Sequence, residues 1–475
     1  MTSDAIHPLI LAGRHEVRDE RVVLRNPAND AVLGEISYAG ITDAERACAA
    51  ASSAFSQTRR LPSWKRSAIL AQMAEAISTR VEELALTIMQ EAAKPIADAR
   101  MEVARALQTV HVAAEEARRI HGALTAADWT PGNEGRFALM RRFPIGPILG
   151  ITPFNFPLNL VAHKLAPAIA SGSPIIIKPA PQTPLSALRL ATLAIEAGWP
   201  LEAISVLPCN NEVASKLVED ERITMLSFTG SAAVGWQLKA RVPRKRVTLE
   251  LGGNAAVVVC ADADLDLAAQ RIIAGGFSYA GQSCISVQRV YAHNSLHTAL
   301  IERLQAALAS WIPADPALDS TRVGPMISAA AAERAEQWIA SAVSSGARLH
   351  CGGSRCGAFL EPALLSEVPE DSALCREEAF APVVLVNSFS TIEEAFERVN
   401  ASSYGLQAAI FTRSWATMAQ AWNELAVGAV LVDESSSWRA DHLPYGGIKN
   451  SGVGKEGVRS AIEEMTEPRT LLVPT

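Results

Sequence analysis

The sequence predicts an α/β protein built from two α/β domains, and three observations carry that prediction. From Ile145 onward, short apolar runs alternate with helical patterns, the signature of parallel βαβ units. The 475 residues suggest roughly two to four domains by size. A composition of 49% hydrophobic and 20% charged residues leaves apolar material for more than one core and excludes an intrinsically disordered chain.

The elements follow in order. Thr42-Asp-Ala-Glu45 reads as a capping box ahead of an alanine-rich helix, and Trp64 to Gln90 repeats apolar residues at helical spacing. Met101 to Gly122 reads as a further amphipathic helix. Ala126 to Arg142 is turn-rich, with Pro131-Gly132-Asn133 between two stretches able to pair as a hairpin. Alternation then begins: strand Ile148–Thr152, helix Leu158–Ser171, strand Pro174–Lys178, helix Pro184–Ala197, and strands Ile204–Leu207 and Met225–Phe228. A second alternating stretch runs through Val247–Leu251, Ala255–Cys260 and Val383–Phe389, and Thr391-Ile-Glu-Glu394 opens another capped helix. No internal repeat or low-complexity tract is evident.

Charge and cysteine usage narrow the function. The net charge is −7, and the densest basic cluster, Arg244-Lys245-Arg246, is too short for a nucleic-acid patch. Seven cysteines without a CxxC argue against a disulfide framework or a zinc ribbon and suit a reducing, cytoplasmic setting. No metal site is expected. Met1 to Arg14 lacks the pattern of a signal peptide, and the most apolar stretch, Asn159 to Pro179, is broken by His163, Lys164, Pro167 and Pro174.

Four residues stand out for their chemistry. Cys284, in Ala280-Gly-Gln-Ser-Cys, reads either as an inert core thiol or as a nucleophile on a tight exposed turn whose backbone N–H groups lower its pKa. Glu250 interrupts the apolar strand Val247-Thr-Leu-Glu-Leu and precedes two glycines, as a backbone-bound carboxylate or a general base. Asn155 follows a parallel strand, where its amide closes a turn or donates to an oxyanion. Lys178 ends the strand Ile175-Ile-Ile-Lys, as a snorkelling edge cation or a ligand group. Gly452-Val-Gly-Lys-Glu-Gly457 matches GxGxxG, but no strand precedes it and no βαβ unit follows, so it reads as a structural loop.

These residues lie in segments that resemble the aldehyde dehydrogenase superfamily. The likeness runs from about Asn26 to Met465. Its motifs are Thr-Pro-Phe-Asn-Phe-Pro (152–157), Ile-Ile-Lys-Pro-Ala (176–180), Ser-Phe-Thr-Gly-Ser (227–231), Leu-Glu-Leu-Gly-Gly (249–253) and Gly-Gln-Ser-Cys (281–284). Glu-Glu-Ala-Phe-Ala-Pro (377–382) and Pro-Tyr-Gly-Gly-Ile-Lys-Asn-Ser-Gly (444–452) complete the series. The resemblance implies a Rossmann-like NAD(P)-binding domain at 1–124 and 146–251 and a catalytic domain at 252–447. It also implies a small β oligomerisation flap at 125–145 and 448–475, and a homodimer or homotetramer.

By the same resemblance Cys284 attacks the aldehyde, Asn155 holds the oxyanion, and Glu250 activates water against the thioester. NAD or NADP would be held by Lys178, Gly230, Ser231 and Glu378, with Thr152, Phe154 and Phe380 near it. Pro181 stands where many NAD-preferring members carry a glutamate that repels a 2′-phosphate, which leaves NADP open. Two segments, 154–164 and 433–439, resemble the branch of lactaldehyde- and phosphonoacetaldehyde-type dehydrogenases. That likeness makes Arg105, Arg439, Phe156 and Ser283 the candidate substrate contacts, with a surface ion pair as the alternative for each arginine. The other readings are a CoA-acylating semialdehyde dehydrogenase, a redox-silent binding protein on the same fold, and a cysteine hydrolase paired with His163 or His442. Glu250 counts against the first, and Cys284, Glu250 and Asn155 together count against the second.

Overall fold

The computed structural model describes residues 5–473, so the expected domain limits at 1 and 475 lie outside the described residues. Five parallel strands form the centre of the first sheet: Arg246–Glu250, Met225–Thr229, Ile148–Ile151, Ile175–Lys178 and Ile204–Val206, side by side in that order. Antiparallel strands close its edges, Gly452–Val453 on one side and Leu9–Leu11 with Arg14–Glu16 on the other.

The strand sequences follow from what covers them. Ile175 and Ile177 enter one apolar cluster while Ile176 enters another, so both faces of the strand are buried. A strand covered on both faces reads as a continuous apolar run rather than an alternation.

The second sheet has the order Arg348–Cys351, Ala363–Ser366, Val383–Phe389, Arg289–His293, Ala256–Val259, Gln407–Phe411 and Ala429–Val432. It is parallel except at the Arg348–Cys351 edge. Its strand residues alternate in the same way: Val257 and Val259 face one cluster, Ala256 and Val258 the other. A third, antiparallel sheet joins Ala123–Ala126, Phe137–Pro144 and Thr466–Val473. The hairpin expected around Pro131 is therefore present. Among the described residues, no helix is long and apolar enough to cross a membrane.

Three local expectations are corrected. The first helix spans Ile41–Thr58, and its reciprocal cap is Gly40 with Asp43, whose carboxylate accepts from the Gly40 N–H at 3.1 Å. The Thr42–Glu45 box therefore lies inside the helix. The 64–90 stretch divides into Ser63–Ser78 and Val81–Ala92. The break falls where the Thr79 hydroxyl donates to the carbonyls of Glu75 and Ala76, a local bond that competes with helix propagation. Within 448–475, expected in the small sheet, Gly452–Val453 pairs with Arg246–Glu250 instead.

Candidate active site

Three neighbouring parallel strands end at one edge of the first sheet, and several of the candidate residues hang from those ends. Asn155 follows Ile148–Ile151, Gly230 and Ser231 follow Met225–Thr229, and Glu250 is the last residue of Arg246–Glu250. Carboxyl ends of parallel strands are where open α/β sheets bind ligands. Cys284 arrives from the other sheet, on the loop between the helix Leu265–Phe277 and the strand Arg289–His293.

That loop is bent by three successive left-handed residues, Tyr279 (φ 48°), Ala280 (φ 52°) and Gly281 (φ 66°). Non-glycine residues adopt this conformation only where packing holds them. Tyr279 supplies the hold: it is buried, its hydroxyl donates to the Ala92 carbonyl, and Phe156 packs edge-on against its ring at 6.3 Å. Gly253 is needed for a different reason, because a Cβ there would lie 2.1 Å from the Cys284 carbonyl oxygen.

Asn155, Glu250 and Cys284 meet on the wall of one cavity of about 350 Å³. Tyr445 Oη lies 3.1 Å from Cys284 Sγ, and the Arg439 guanidinium stacks 3.7 Å from the centre of the Tyr445 ring. Burial pushes the Cys284 thiol up to about 12, with the Tyr445 hydrogen bond pulling the other way. Of the two readings the sequence left open, an inert core thiol and an exposed low-pKa nucleophile, neither describes Cys284 fully: it is partly buried on the cavity wall, and its pKa is raised rather than lowered. Glu250 is also raised well above the carboxylate range, first by burial and then by the charge of Glu456. Neither of its oxygens has a protein hydrogen-bond partner. Asn155 is buried and spends one N–H on the Gln282 carbonyl at 3.0 Å, leaving the other for a ligand.

Behind this trio lies a buried web of charge. Glu456 accepts from Lys164 at 3.0 Å and from Arg439 at 3.2 Å. Asp441 takes a two-pronged contact from Arg105 at 2.8 and 3.0 Å and pairs with His163 at 2.8 Å. Burial opposes the charge on Glu456, but Lys164, Arg439 and His163 outweigh it and hold the group down at about 2. Asp441 is likewise held far below the usual range, against burial, by His163 and Arg105. Arg105 and Arg439 both line the cavity. Each is already engaged by a carboxylate, and Arg439, with 7% of its side chain exposed, is no surface pair. His163 is held by Asp441 while Sγ contacts Tyr445, so the pairing a cysteine hydrolase needs is not what surrounds this thiol.

Sequence reading missed Tyr445, Glu456, Lys164 and Asp441. Glu456 sits inside the dismissed Gly452–Gly457 motif, and Tyr445 inside a quoted motif whose hydroxyl went unremarked. A buried position shows itself in sequence only when the partner is known.

The candidate cofactor residues divide into two groups. Phe154, Gly230, Ser231, Glu378 and Phe380 line the cavity together with Phe156 and Ser283. Phe154 and Phe380 meet edge to face at 5.8 Å. Ser231 is the N-cap of the helix Ala232–Arg241, which has neither a side-chain cap nor an acidic residue in its first turn, so its N–H groups are open to an anion. Glu378 is raised to about 7 by burial, while its Oε1 accepts from the Gly253 N–H at 2.9 Å. Thr152 and Lys178 lie outside the cavity wall, joined by the Thr152 N–H to the Lys178 carbonyl at 3.1 Å. Buried Lys178 has no carboxylate partner among the described residues, and burial lowers its pKa. An open helix terminus, a free buried cation and an apolar slot fit a dinucleotide with a phosphate bridge.

Fold and site thus define a class: a two-sheet α/β protein that presents a thiol, a carboxyl and an amide beside an anion-ready helix terminus. The chain belongs to the aldehyde dehydrogenase family, which it matches over residues 15–471. It is 41% identical over 466 residues to 3-sulfolactaldehyde dehydrogenase of Priestia aryabhattai, covering 98% of this chain and 97% of that one. Aldehyde dehydrogenase 21 from Physcomitrella patens, solved with the reaction product succinate, superposes with a TM-score of 0.97 at 40% identity over 99% of this chain and 98% of that one. Glyceraldehyde-3-phosphate dehydrogenase from Methanocaldococcus jannaschii, complexed with NADP, gives 0.93 at 35% identity over 96% and 100%. The expected family and fold class are both met.

Proposed function

We propose that this enzyme oxidises a small polar or anionic aldehyde to its carboxylic acid, with NAD or NADP as cofactor. The observation that carries the proposal is the convergence of Cys284, Glu250 and Asn155 on one cavity wall. Sγ bonds to the carbonyl carbon as the carbonyl π pair moves onto oxygen and the thiol proton passes to solvent, while the free Asn155 N–H and the Cys284 backbone N–H stabilise the oxyanion. NAD or NADP, which Gly230, Ser231 and Glu378 would hold with Phe154 and Phe380 beside it, would supply the hydride acceptor for the thiohemiacetal on Cys284, whose loss of hydride leaves a thioester. Glu250, unpartnered and raised well above the carboxylate range, then takes a proton from water, whose oxygen attacks the thioester; the C–S bond breaks, and the proton held on Glu250 returns to the leaving sulfur as the acid departs.

An anionic substrate suits the electrostatics. Arg105, Arg334 and Arg439 line the cavity along with Glu250, Glu378 and Glu456. Burial disfavours the charged form of both Glu250 and Glu378, the latter raised to about 7, which lessens the repulsion an anionic substrate would meet from that side. The named relatives act on, or were solved with, small anionic molecules, which supports a sulfonate-, carboxylate- or phosphate-bearing aldehyde. Pro181 in place of a repelling carboxylate supports acceptance of NADP. In this reading the eight-stranded sheet holds the cofactor, the seven-stranded sheet carries the nucleophile, and the three-stranded sheet joins copies into a homodimer or homotetramer.

The test is a panel of 3-sulfolactaldehyde, lactaldehyde, succinic semialdehyde, glyceraldehyde 3-phosphate and phosphonoacetaldehyde with each cofactor, read at the reduced-nicotinamide band. At least one anionic aldehyde should be oxidised with a higher kcat/KM than lactaldehyde. Full activity in Cys284→Ala would refute the mechanism.

A further inference from the structure

A second cavity, of about 810 Å³, opens where the helix Ser63–Ser78 begins, the helix Ile96–Glu116 has ended and the strand Phe137–Pro144 finishes. Arg59, Arg60, Arg66, Arg118, Arg141 and Arg142 all line it, and no aspartate or glutamate does. Elsewhere in the molecule Arg105, Arg222 and Arg439 each rest on carboxylates. None of the six cleft arginines has such a partner among the described residues. The concentration is local, because the chain as a whole carries a charge of −7.

Four of the six are held in place without being neutralised. Arg142 donates to the Thr466 hydroxyl and carbonyl and to the Glu463 carbonyl. Arg59 lies 5.3 Å over the Phe55 ring and Arg141 4.9 Å over the Phe143 ring. Arg66 donates to the Ala170 carbonyl, yet its Nε is buried and has no partner. Burial, together with the like charge of Arg141, lowers Arg66 to about 10. Arg59, Arg60, Arg118 and Arg141 remain exposed.

The backbone adds charge of the same sign. Pro62 and Ser63, at the start of the helix Ser63–Ser78, line the cleft. That helix has no side-chain cap and no acidic residue in its first turn, so its dipole and open N–H groups also call for an anion.

We propose that this cleft, separate from the aldehyde cavity, is a binding site for a small phosphorylated molecule carrying several negative charges. Guanidinium forks and helix N–H groups match the oxygens of phosphate, and several arginines demand more than one negative charge. The volume admits an organic moiety beside the phosphates.

Inorganic pyrophosphate is the probe, titrated calorimetrically into the full-length protein with NADP present, so that the helix terminus at Ser231 does not compete. Wild type should bind, with affinity that falls as sodium chloride is raised. The exposed pair Arg60→Gln/Arg118→Gln should weaken binding at least about tenfold, since each charge-assisted contact contributes roughly 1.5–3 kcal/mol. That double variant should keep the wild-type melting temperature within a few degrees and its kcat without pyrophosphate. Equal binding by the two proteins overturns the proposal. So does a wild type that binds no pyrophosphate; if the double variant then changes oligomeric mass by light scattering, the cleft is instead a contact between copies.

Discussion

Tyr445 Oη stands 3.1 Å from Cys284 Sγ, placed to donate its O–H to the sulfur. Burial alone would leave the thiol still harder to ionise, so this hydrogen bond is a lever on the thiol's pKa. In Tyr445→Phe the lever is gone. Iodoacetamide should alkylate Cys284 more slowly at a fixed pH near 8, by about 2- to 12-fold for a bond worth roughly 0.5–1.5 kcal/mol. The pH profile of alkylation should move upward, and an unchanged profile would show that the tyrosine only packs.

Glu250 carries a raised pKa, so its base form grows in as pH rises through that value. The kcat should therefore increase with pH and fall away on the acid side well above pH 4.5. Glu250→Gln should lose about 100- to 10,000-fold in kcat and lose that acid limb with it. Measured pH–rate profiles of the two proteins decide the point.

Asn155 has one N–H fixed by Gln282 and one free, and the amide is buried. Asn155→Ala should cost about 100- to 1,000-fold in kcat, the usual consequence of losing one oxyanion donor. Alkylation of Cys284 in the absence of aldehyde should change far less, because no oxyanion forms in that reaction.

Glu456 is held at about 2 by Lys164, Arg439 and His163. Its folded pKa lies below its unfolded one, so its contribution to stability is present above about pH 4.5 and is lost as pH falls toward 2. Glu456→Gln should be destabilised by about 3–5 kcal/mol at pH 7, because Lys164 and Arg439 remain buried with a partner removed. Urea midpoints at pH 7 and pH 3 should differ more in the wild type than in the variant.

The strands were legible because both faces of each large sheet are covered, which writes apolar runs such as Ile175–Ile177 into the chain. The end of the helix Ser63–Ser78 was not, because a threonine hydroxyl breaks it where a glycine or proline would have announced the break. Cys284, Glu250 and Asn155 could be named from motifs, but their meeting could not, since the cysteine comes from a different sheet. The charge web was invisible for a related reason. Lys164 and Glu456 are 292 positions apart, and each alone looks like a surface residue. The direction of the thiol's pKa was left open, because Gly281-Gln-Ser-Cys284 fits an exposed turn or a core position, and only the folded packing sets it upward.

The chain leaves the first sheet at Glu250 and enters the second at Ala256, so residues 251–255 are the crossing between them. All five residues of that crossing are buried. The Gly253 N–H donates to the Glu378 carboxylate and the Asn254 amide donates to the Glu377 carbonyl, so the link is pinned on its way across. Glu250 and Cys284 therefore keep their spacing through a short packed tether, and a substitution that loosened it would be felt at both groups at once.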